Sequence, residues 1–509
     1  MGSFCSLGTE KERPKRITSY NNIDDIRFNA GLFIQEHKDT FLSIYSLSPL
    51  PIAYGSYGEI RICEHLRSKE KRAVKMIEKS CLSKSLIQNR TVLQEVDILR
   101  SLDHPNILKV FEYFEDLKYY YIVMEYCPYG DLLDELLKRV IFDETLASKI
   151  MGQIFAGVNY IHSRSIIHRD LKLENILICS NQNEIKVKII DFNISALNTG
   201  KKLSKFTGTF HYMAPEVINQ CYDEKCDLWA CGVIMYILLT GEFPFTGNTR
   251  EEIFENILTG KFGHKNSPFA QLSLSCKDIL SNLLNTNPAS RFSARDSLSH
   301  SWIESNYFDR SDQNFLQRTL TRMLTITKKP KLREMFETFL LSQVQKKHEN
   351  FKSVEKVFFE LDIDKNGVIS IQELVNKFKN NMSEEQAREE AERILRIVDN
   401  DGSGEIDYTE FLRASMEEES YVSKENLKKA FYYFDKNCSG TIEKNELMSW
   451  LTDGAIIPME VVEQLIEEAD KNGDGVIDLE EFENLLLDRI AKTEEPSLSV
   501  SFEDEELSD

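Results

Sequence analysis

Oxygen-bearing side chains recur at one fixed spacing in four places: Asp362, Asp364, Asn366, Ser370 and Glu373; Asp399, Asp401, Ser403, Asp407 and Glu410; Asp435, Asn437, Ser439, Glu443 and Glu446; and Asp470, Asn472, Asp474, Asp478 and Glu481. That is the ligand set of a calcium loop, in which hard oxygens converge within about twelve residues and the closing Glu binds through both oxygens. The backbone ligand of each loop would be the carbonyl of Val368, Glu405, Thr441 or Val476, and Gly367, Gly404, Gly440 and Gly475 stand at the sharp turn. The first and fourth segments match the loop template fully; the second and third offer a Ser hydroxyl where Asp or Asn is usual. Two residues after each turn glycine comes Ile369, Ile406, Ile442 or Ile477, as expected if paired loops join through a short strand. One acidic, Gly-rich turn can be an ordinary surface loop, but four in tandem with the same isoleucine are not. Ligand charge tunes affinity, so the second and fourth loops, with four carboxylates each, are expected to outrank the first and third, with three.

A second constellation lies upstream. In His168-Arg169-Asp170-Leu171-Lys172-Leu173-Glu174-Asn175, Asp170 is placed to accept a hydroxyl proton and Asn175 to ligate Mg2+, and Asp191 of Asp191-Phe192-Asn193 supplies a further Mg2+ ligand. Ala73-Val74-Lys75 reads as a strand whose Lys75 holds the α- and β-phosphates of ATP, paired with Glu95 on a downstream helical stretch. Residues 50–61 resemble a kinase phosphate-covering loop: Gly55 and Gly58 let backbone amides approach phosphate, while Ala53 occupies the position of the first glycine. Asn193 stands where glycine is expected, and asparagine tolerates left-handed backbone better than other residues with a side chain. A lone Lys and Glu would be a solvated pair, whereas this set in this order is the machinery of phosphoryl transfer.

Certain elements must hold these residues in place. Val354, Val357, Phe358 and Leu361, like Leu427, Ala430, Phe431 and Phe434, have the spacing of helices entering the calcium loops. The loops repeat every 35 to 37 residues, which is helix-loop-helix with linkers and not a solenoid period. Upstream, strand-like runs from Tyr45 give way to long helical ones that end near Ser305. Between the two regions, Leu316, Leu320, Met323 and Leu324, then Leu332, Met335, Phe336, Phe339 and Leu340, form helical stripes interleaved with Arg318, Arg322, Lys328, Lys329 and Arg333. A basic amphipathic stretch of this kind is what a calmodulin-like groove takes up; ordinary packing between domains is the other reading.

The formal charge of −21 is unevenly spread: residues 351–509 hold 17 Lys/Arg against 41 Asp/Glu, and the rest hold 45 against 42. With no strong basic field to release counterions, nucleic acid is not an expected partner. The ten cysteines are scattered, and even Cys221, Cys226 and Cys231 lack a zinc-type spacing, so they read as reduced cytosolic thiols. No apolar run approaches the roughly twenty residues of a membrane span, and the richest stretch, residues 233–239, is a candidate buried helix. Met1-Gly2-Ser3-Phe4-Cys5-Ser6 fits N-myristoylation of Gly2, with Cys5 available for palmitate and Lys11, Arg13, Lys15 and Arg16 following. Such weak signals add up to peripheral membrane anchoring of a cytoplasmic protein, the alternative being an unmodified N-terminus.

Residues 45–490 resemble the calcium-dependent protein kinases, and the motifs stand in that family's order. The resemblance implies an α+β bilobal protein-kinase fold followed by an all-α EF-hand (calmodulin-like) domain. The layout would be a variable lead over 1–44, a kinase domain over 45–305, an autoinhibitory junction over 306–350, four EF-hands over 351–492 and an acidic disordered tail over 493–509. It also implies a calcium-activated serine/threonine kinase that uses ATP, Mg2+ and Ca2+, acts as a monomer on proteins with Ser/Thr sites near basic residues, and is held inactive by its own junction helix. On that basis Lys172 marks the serine/threonine type, Met124 is the gatekeeper, Cys127 the hinge contact to adenine, and Asp131 can meet a basic substrate residue. Glu216 and Arg291 form a buried ion pair, and Ser204 and Thr207 are candidate activation-loop phosphosites near Arg169. A catalytically silent sensor or scaffold, suggested by Ala53 and Asn193, is the alternative; a mere calcium buffer leaves residues 168–175 unexplained.

Overall fold

Apolar residues crowd Lys71–Glu78, where Ala73, Val74, Met76 and Ile77 are all buried, as suits a strand covered on both faces. It is a central strand of a six-stranded sheet made of Gln35–His37 (β1), Tyr45–Gly55 (β2), Gly58–His65 (β3), Lys71–Glu78 (β4), Val110–Glu115 (β5) and Tyr119–Met124 (β6). The order is β1-β5-β6-β4-β3-β2. All pairings are antiparallel except β1 on β5, which is parallel with Glu36 opposite Tyr113. This computed structural model describes residues 22–37, 40–55, 58–83, 93–180, 185–263, 268–307, 312–343, 349–451 and 457–487. Within the lead expected over 1–44, Phe28, Phe33, Ile34 and Phe41 are buried and Gln35–His37 supplies β1.

Below the sheet, helices Glu144–Ser163 and Lys225–Thr240 form the middle of an apolar core. The first is capped by Asp143, whose carboxylate accepts from Leu146 N at 2.9 Å. The second buries residues 233–239 entirely. Among the described residues no helix is long and apolar enough to cross a membrane. Arg291 Nη2 donates to Glu216 Oε2 at 2.9 Å, with the guanidinium fully enclosed.

The chain divides into two compact units. One holds residues 27–328 and 341–420: the sheet, the helical lobe, helix Gln313–Thr325 and the EF helices Glu349–Leu361, Ile371–Phe378, Glu384–Val398 and Tyr408–Ser415. Helix Gln313–Thr325 lies on three of those four EF helices with Leu316, Leu320 and Met323 buried. The other unit gathers residues 329–340 with the EF helices Lys424–Phe434, Lys444–Leu451, Met459–Glu467 and Leu479–Leu487. There Phe336 packs on Phe434 and Phe482 with ring centroids 4.8 and 4.6 Å apart, and Phe339 on Phe434 at 4.7 Å.

Candidate active site and calcium loops

β4 points Lys75 between the sheet and the helix Gln94–Arg100, and Lys75 Nζ meets Glu95 Oε2 at 2.7 Å and Asp191 Oδ1 at 4.0 Å. Burial works to lower the pKa of this ammonium, but the two carboxylates outweigh it and hold the pKa above its ordinary value. Lys75 is therefore a fixed cation at neutral pH. The second oxygen of Glu95 accepts from Phe192 N at 3.3 Å, and the Phe192 ring is buried edge-on to His168 at 4.8 Å. The helix carrying Glu95 and the segment carrying Asp191 are thus tied together.

The catalytic loop hangs from the helix Lys225–Thr240. Both oxygens of Asp227 accept backbone hydrogen bonds at 2.8 Å, from His168 N and Arg169 N, and His162 Nε2 lies 2.9 Å away. Burial pushes the Asp227 carboxyl up, but the His162 hydrogen bond and the nearby imidazoles and amides pull it further down, so it stays ionised. The hold of Asp227 on the catalytic loop reaches across 58 and 59 residues and has no local signal in the sequence. Asp170 itself accepts from Thr209 N at 3.0 Å and Thr209 Oγ1 at 2.8 Å, while Lys172 Nζ stands 3.1 Å from Asp170 and donates to Thr209 at 3.2 Å. Asn175 Nδ2 donates to Asp170 O at 2.7 Å and to Asp170 Oδ2 at 3.3 Å, which ties the two side chains together. The cleft beside Asp170 is lined by Arg169, Thr207, Thr209, Tyr212 and Met213, with no residue of Gln313–Thr325 in its wall.

The nucleotide-side residues fall on the expected elements. Gly55 faces Gly58 across the β2–β3 hairpin, and Ala53 pairs with Ile60 next to a register shift. Met124 ends β6 opposite Ala73. Left-handed backbone falls on Asp191, with φ 68°, and not on Asn193, whose side-chain amide instead donates to the Asp191 carboxylate. Asp131 caps the helix Leu132–Arg139 by accepting from Asp134 N at 2.8 Å. Burial pushes its carboxyl above the usual range. Arg169 donates to Ser195 O at 3.2 Å, Ser204 is exposed and Thr207 half-buried. The reading of every cysteine as a free thiol is corrected at one place: Cys127 is bridged to Cys179. The fold causes this, because Ile178 N donates to Gly130 O at 2.9 Å and so lays strand Ile176–Ser180 beside the hinge, across 52 residues of sequence. Gly2 and Cys5 lie outside the described residues.

All four calcium loops share one hydrogen-bond scheme. The first Asp accepts through Oδ2 from the turn glycine, at 2.8 Å for Asp362 and Gly367, 3.0 Å for Asp399 and Gly404, 3.2 Å for Asp435 and Gly440, and 2.8 Å for Asp470 and Gly475. The closing Glu373, Glu410, Glu446 and Glu481 each accept from a backbone N–H at both ends of the loop. Ile369 and Ile406 exchange two backbone hydrogen bonds of 2.9 Å, and Thr441–Ile442 pairs with Ile477–Asp478, so the isoleucines join the loops in pairs. Three carboxylates converge within 4.8 Å in the first, second and fourth loops. Burial, with Glu373 and Asp364 beside it, raises the Asp362 carboxyl to about 8, as suits a carboxylate whose charge a bound cation would offset. The residues therefore fit Ca2+.

The first calcium loop rests on the helical lobe. Ser163 Oγ donates to Asn366 O at 3.2 Å, Asn159 donates to Lys365 O, and Lys365 Nζ donates to Leu298 O at 3.2 Å; in the helix Tyr408–Ser415, where the second loop ends, Thr409 N donates to Asp103 Oδ2 at 2.7 Å. Gly367, with φ 81°, is pressed so closely on the Tyr160 ring that any side chain there would collide with it.

Residues 51–303 match the protein kinase domain family, and residues 351–416 and 424–487 match the EF-hand domain pair. The chain is 33% identical over 495 residues to calcium-dependent protein kinase 4 of Plasmodium berghei (strain Anka), covering 94% of this chain and 93% of that one. It is 34% identical over 484 residues to calcium-dependent protein kinase 4 of Plasmodium falciparum (isolate 3D7), covering 92% and 90%. It is 35% identical over 472 residues to calcium-dependent protein kinase 3 of P. berghei, covering 90% and 83%. With kinase machinery, calcium loops and near full-length relatives in agreement, this chain belongs to the calcium-dependent protein kinases.

Proposed function

We infer that this protein transfers the γ-phosphoryl group of ATP to Ser and Thr hydroxyls of other proteins when calcium fills its EF-hands. The observation that carries the reading is that one chain holds Lys75 on Glu95, and Asp170 on Thr209 and Lys172, while two EF pairs each enclose half of the junction. ATP with Mg2+ supplies the transferable phosphoryl group, and Asp191 and Asn175 are the residues that would hold the metal. Lys75 neutralises phosphate charge, Asp170 orients the substrate hydroxyl and takes its proton, and Lys172, beside the same carboxylate, stabilises charge on the group in flight. All four side chains of the transfer set are present, which weighs against a silent scaffold.

The junction is the switch in this reading. Without calcium the EF grooves close, and the basic stripes of residues 313–340 are released to block the kinase. With calcium the grooves open and take the stripes back through Leu316, Leu320, Met323, Phe336 and Phe339. Acylation of Gly2 and Cys5 would place the monomeric enzyme on the cytoplasmic membrane face, and Asp131 would favour substrates with nearby basic residues. The test is transfer of phosphate from Mg2+-ATP to a basic Ser/Thr peptide, with calcium and with chelator, next to Asp170→Asn. Calcium-dependent transfer lost in that variant upholds the reading, and its absence while calcium still binds replaces it with a sensor. Gly2→Ala leaving membrane association unchanged would remove the anchoring.

A further inference from the structure

Residues 27–37 precede both matched families, yet they touch the machinery of each. At one end Phe28 N donates to Asn400 O at 3.3 Å, and Asn29 Nδ2 donates to Asp401 Oδ2 at 3.3 Å. The backbone of Gly402 runs against the Arg27 side chain. All of these partners belong to the second calcium loop. In the middle, Gly31 lies flat on the last carbonyl of helix Gln94–Arg100, where a Cβ would collide with Arg100 O. Arg100 in turn donates through Nε to Ile34 O at 2.8 Å, and Leu32, Phe33 and Ile34 are buried. At the far end β1 joins β5, with Tyr113 OH donating to Glu36 at 3.1 Å. The helix so gripped is the one that presents Glu95 to Lys75.

We propose that Asn29 and Gly31 are positioning residues in a strap through which calcium at the second loop fixes the helix that carries Glu95. The proposal rests on the calcium-activated kinase reading and adds a route for one loop. Asp401 is the second ligand, at position three of the loop; its Oδ1 accepts from Ser403 N at 2.9 Å while Oδ2 takes the Asn29 amide. A donor behind a ligand carboxylate orients it for the ion, and losing such a donor typically weakens metal binding about tenfold or more. The reverse also holds by linkage: an ion that fixes Asp401 fixes Asn29, and so steadies Gly31 against Arg100. Glycine is needed at 31 because any side chain would push the strap off the helix end.

The test uses the full chain and reads peptide phosphorylation against free calcium in Asn29→Ala, alone and combined with Glu410→Gln or with Glu481→Gln. The expected result is a rise of about tenfold in half-activating calcium for Asn29→Ala, seen again with Glu481→Gln but absent once Glu410→Gln has disabled the second loop. An equal shift in the Glu410→Gln background, or none in the parent chain, overturns the proposal. Hydrogen exchange supplies a readout independent of activity: calcium should protect the amides of Gln94–Arg100 in the parent chain and fail to do so in Asn29→Ala and in Gly31→Ala. Protection unchanged in both variants also overturns it. If the parent chain transfers no phosphate at any calcium level, the kinase reading fails on its own, and the exchange measurement still decides the strap.

Discussion

Asn193 donates its side-chain amide to the carboxylate of Asp191, two residues before it, and Asp191, not Asn193, bears the left-handed backbone. The asparagine thus acts through its amide and not through backbone tolerance. Its donor takes one oxygen of the carboxylate that would hold Mg2+ and leaves the other to the metal, so the amide orients that ligand. Asn193→Gly should therefore raise KM for Mg2+-ATP several-fold, in line with about 1 kcal/mol for a net hydrogen bond. Steady-state kinetics at varied Mg2+-ATP measures this, and a lowered KM would mean that the amide competes with the metal instead.

Acid should loosen the sheet lobe at one buried carboxylate. Glu112 lies 2.6 Å from His37 Nε2 and 3.5 Å from Arg72 Nη1, and it accepts from Tyr45 OH. Burial alone would raise its pKa, but His37, Arg72 and Tyr45 together bring it down from 4.5 to about 2. A depressed carboxylate stabilises the fold above its unfolded value and loses that contribution as pH falls through the folded one. The window is then pH 4.5 down to about 2, and the contribution is on the order of 3 kcal/mol. In Glu112→Gln, urea midpoints should fall at neutral pH and lose most of their slope within that window; an unaltered acid limb would assign the loss to other groups.

Much of this was legible in the residues. Asp170, Lys75 and the four loop sets are local patterns whose geometry is dictated by the ligand they serve, so spacing alone identified them. The isoleucine after each turn foretold the strand pairing of the loops, because the same offset in all four means one backbone position. What escaped was contact across long separations. Thr409 meets Asp103, Cys127 meets Cys179, and Phe28 meets Asn400, and no periodicity encodes such pairs. The lead misled for a related reason: three residues of β1 are too short to show alternation, and their burial comes from β5 alongside.

The four loops should not fill alike. Carboxylates from three residues converge within 4.8 Å in the first, second and fourth loops, whereas among the described residues no such triple forms in the third. There Asn437 Nδ2 donates to Glu443 Oε1 at 3.1 Å, which turns a carboxylate toward an amide. With less converging charge, the third loop should bind last in a calcium titration followed by residue-resolved amide shifts. Glu446→Gln should accordingly move half-activating calcium less than Glu410→Gln or Glu481→Gln; a larger shift from Glu446→Gln would reverse the order.

Removing everything after Ser305 separates release from support. The truncation takes away the junction that blocks the kinase in the proposed switch, together with the 2.8 Å hydrogen bond from Arg72 Nη2 to Gln343 Oε1. The truncated chain should therefore transfer phosphate with or without calcium. It should also be less stable, because it uncovers Tyr160 under Gly367, Asp103 under Thr409 and the Leu298 carbonyl under Lys365. Asp103 would keep its ion pair with Lys109 at 3.3 Å but lose the backbone donor, a cost of about 1 kcal/mol for that contact before any apolar surface is counted. The expected pair of results is calcium-independent activity and a lowered Tm. A truncated enzyme that stays silent would mean that the docked EF pair does more than withdraw the junction: it would have to hold the helical lobe in its working shape through that same face.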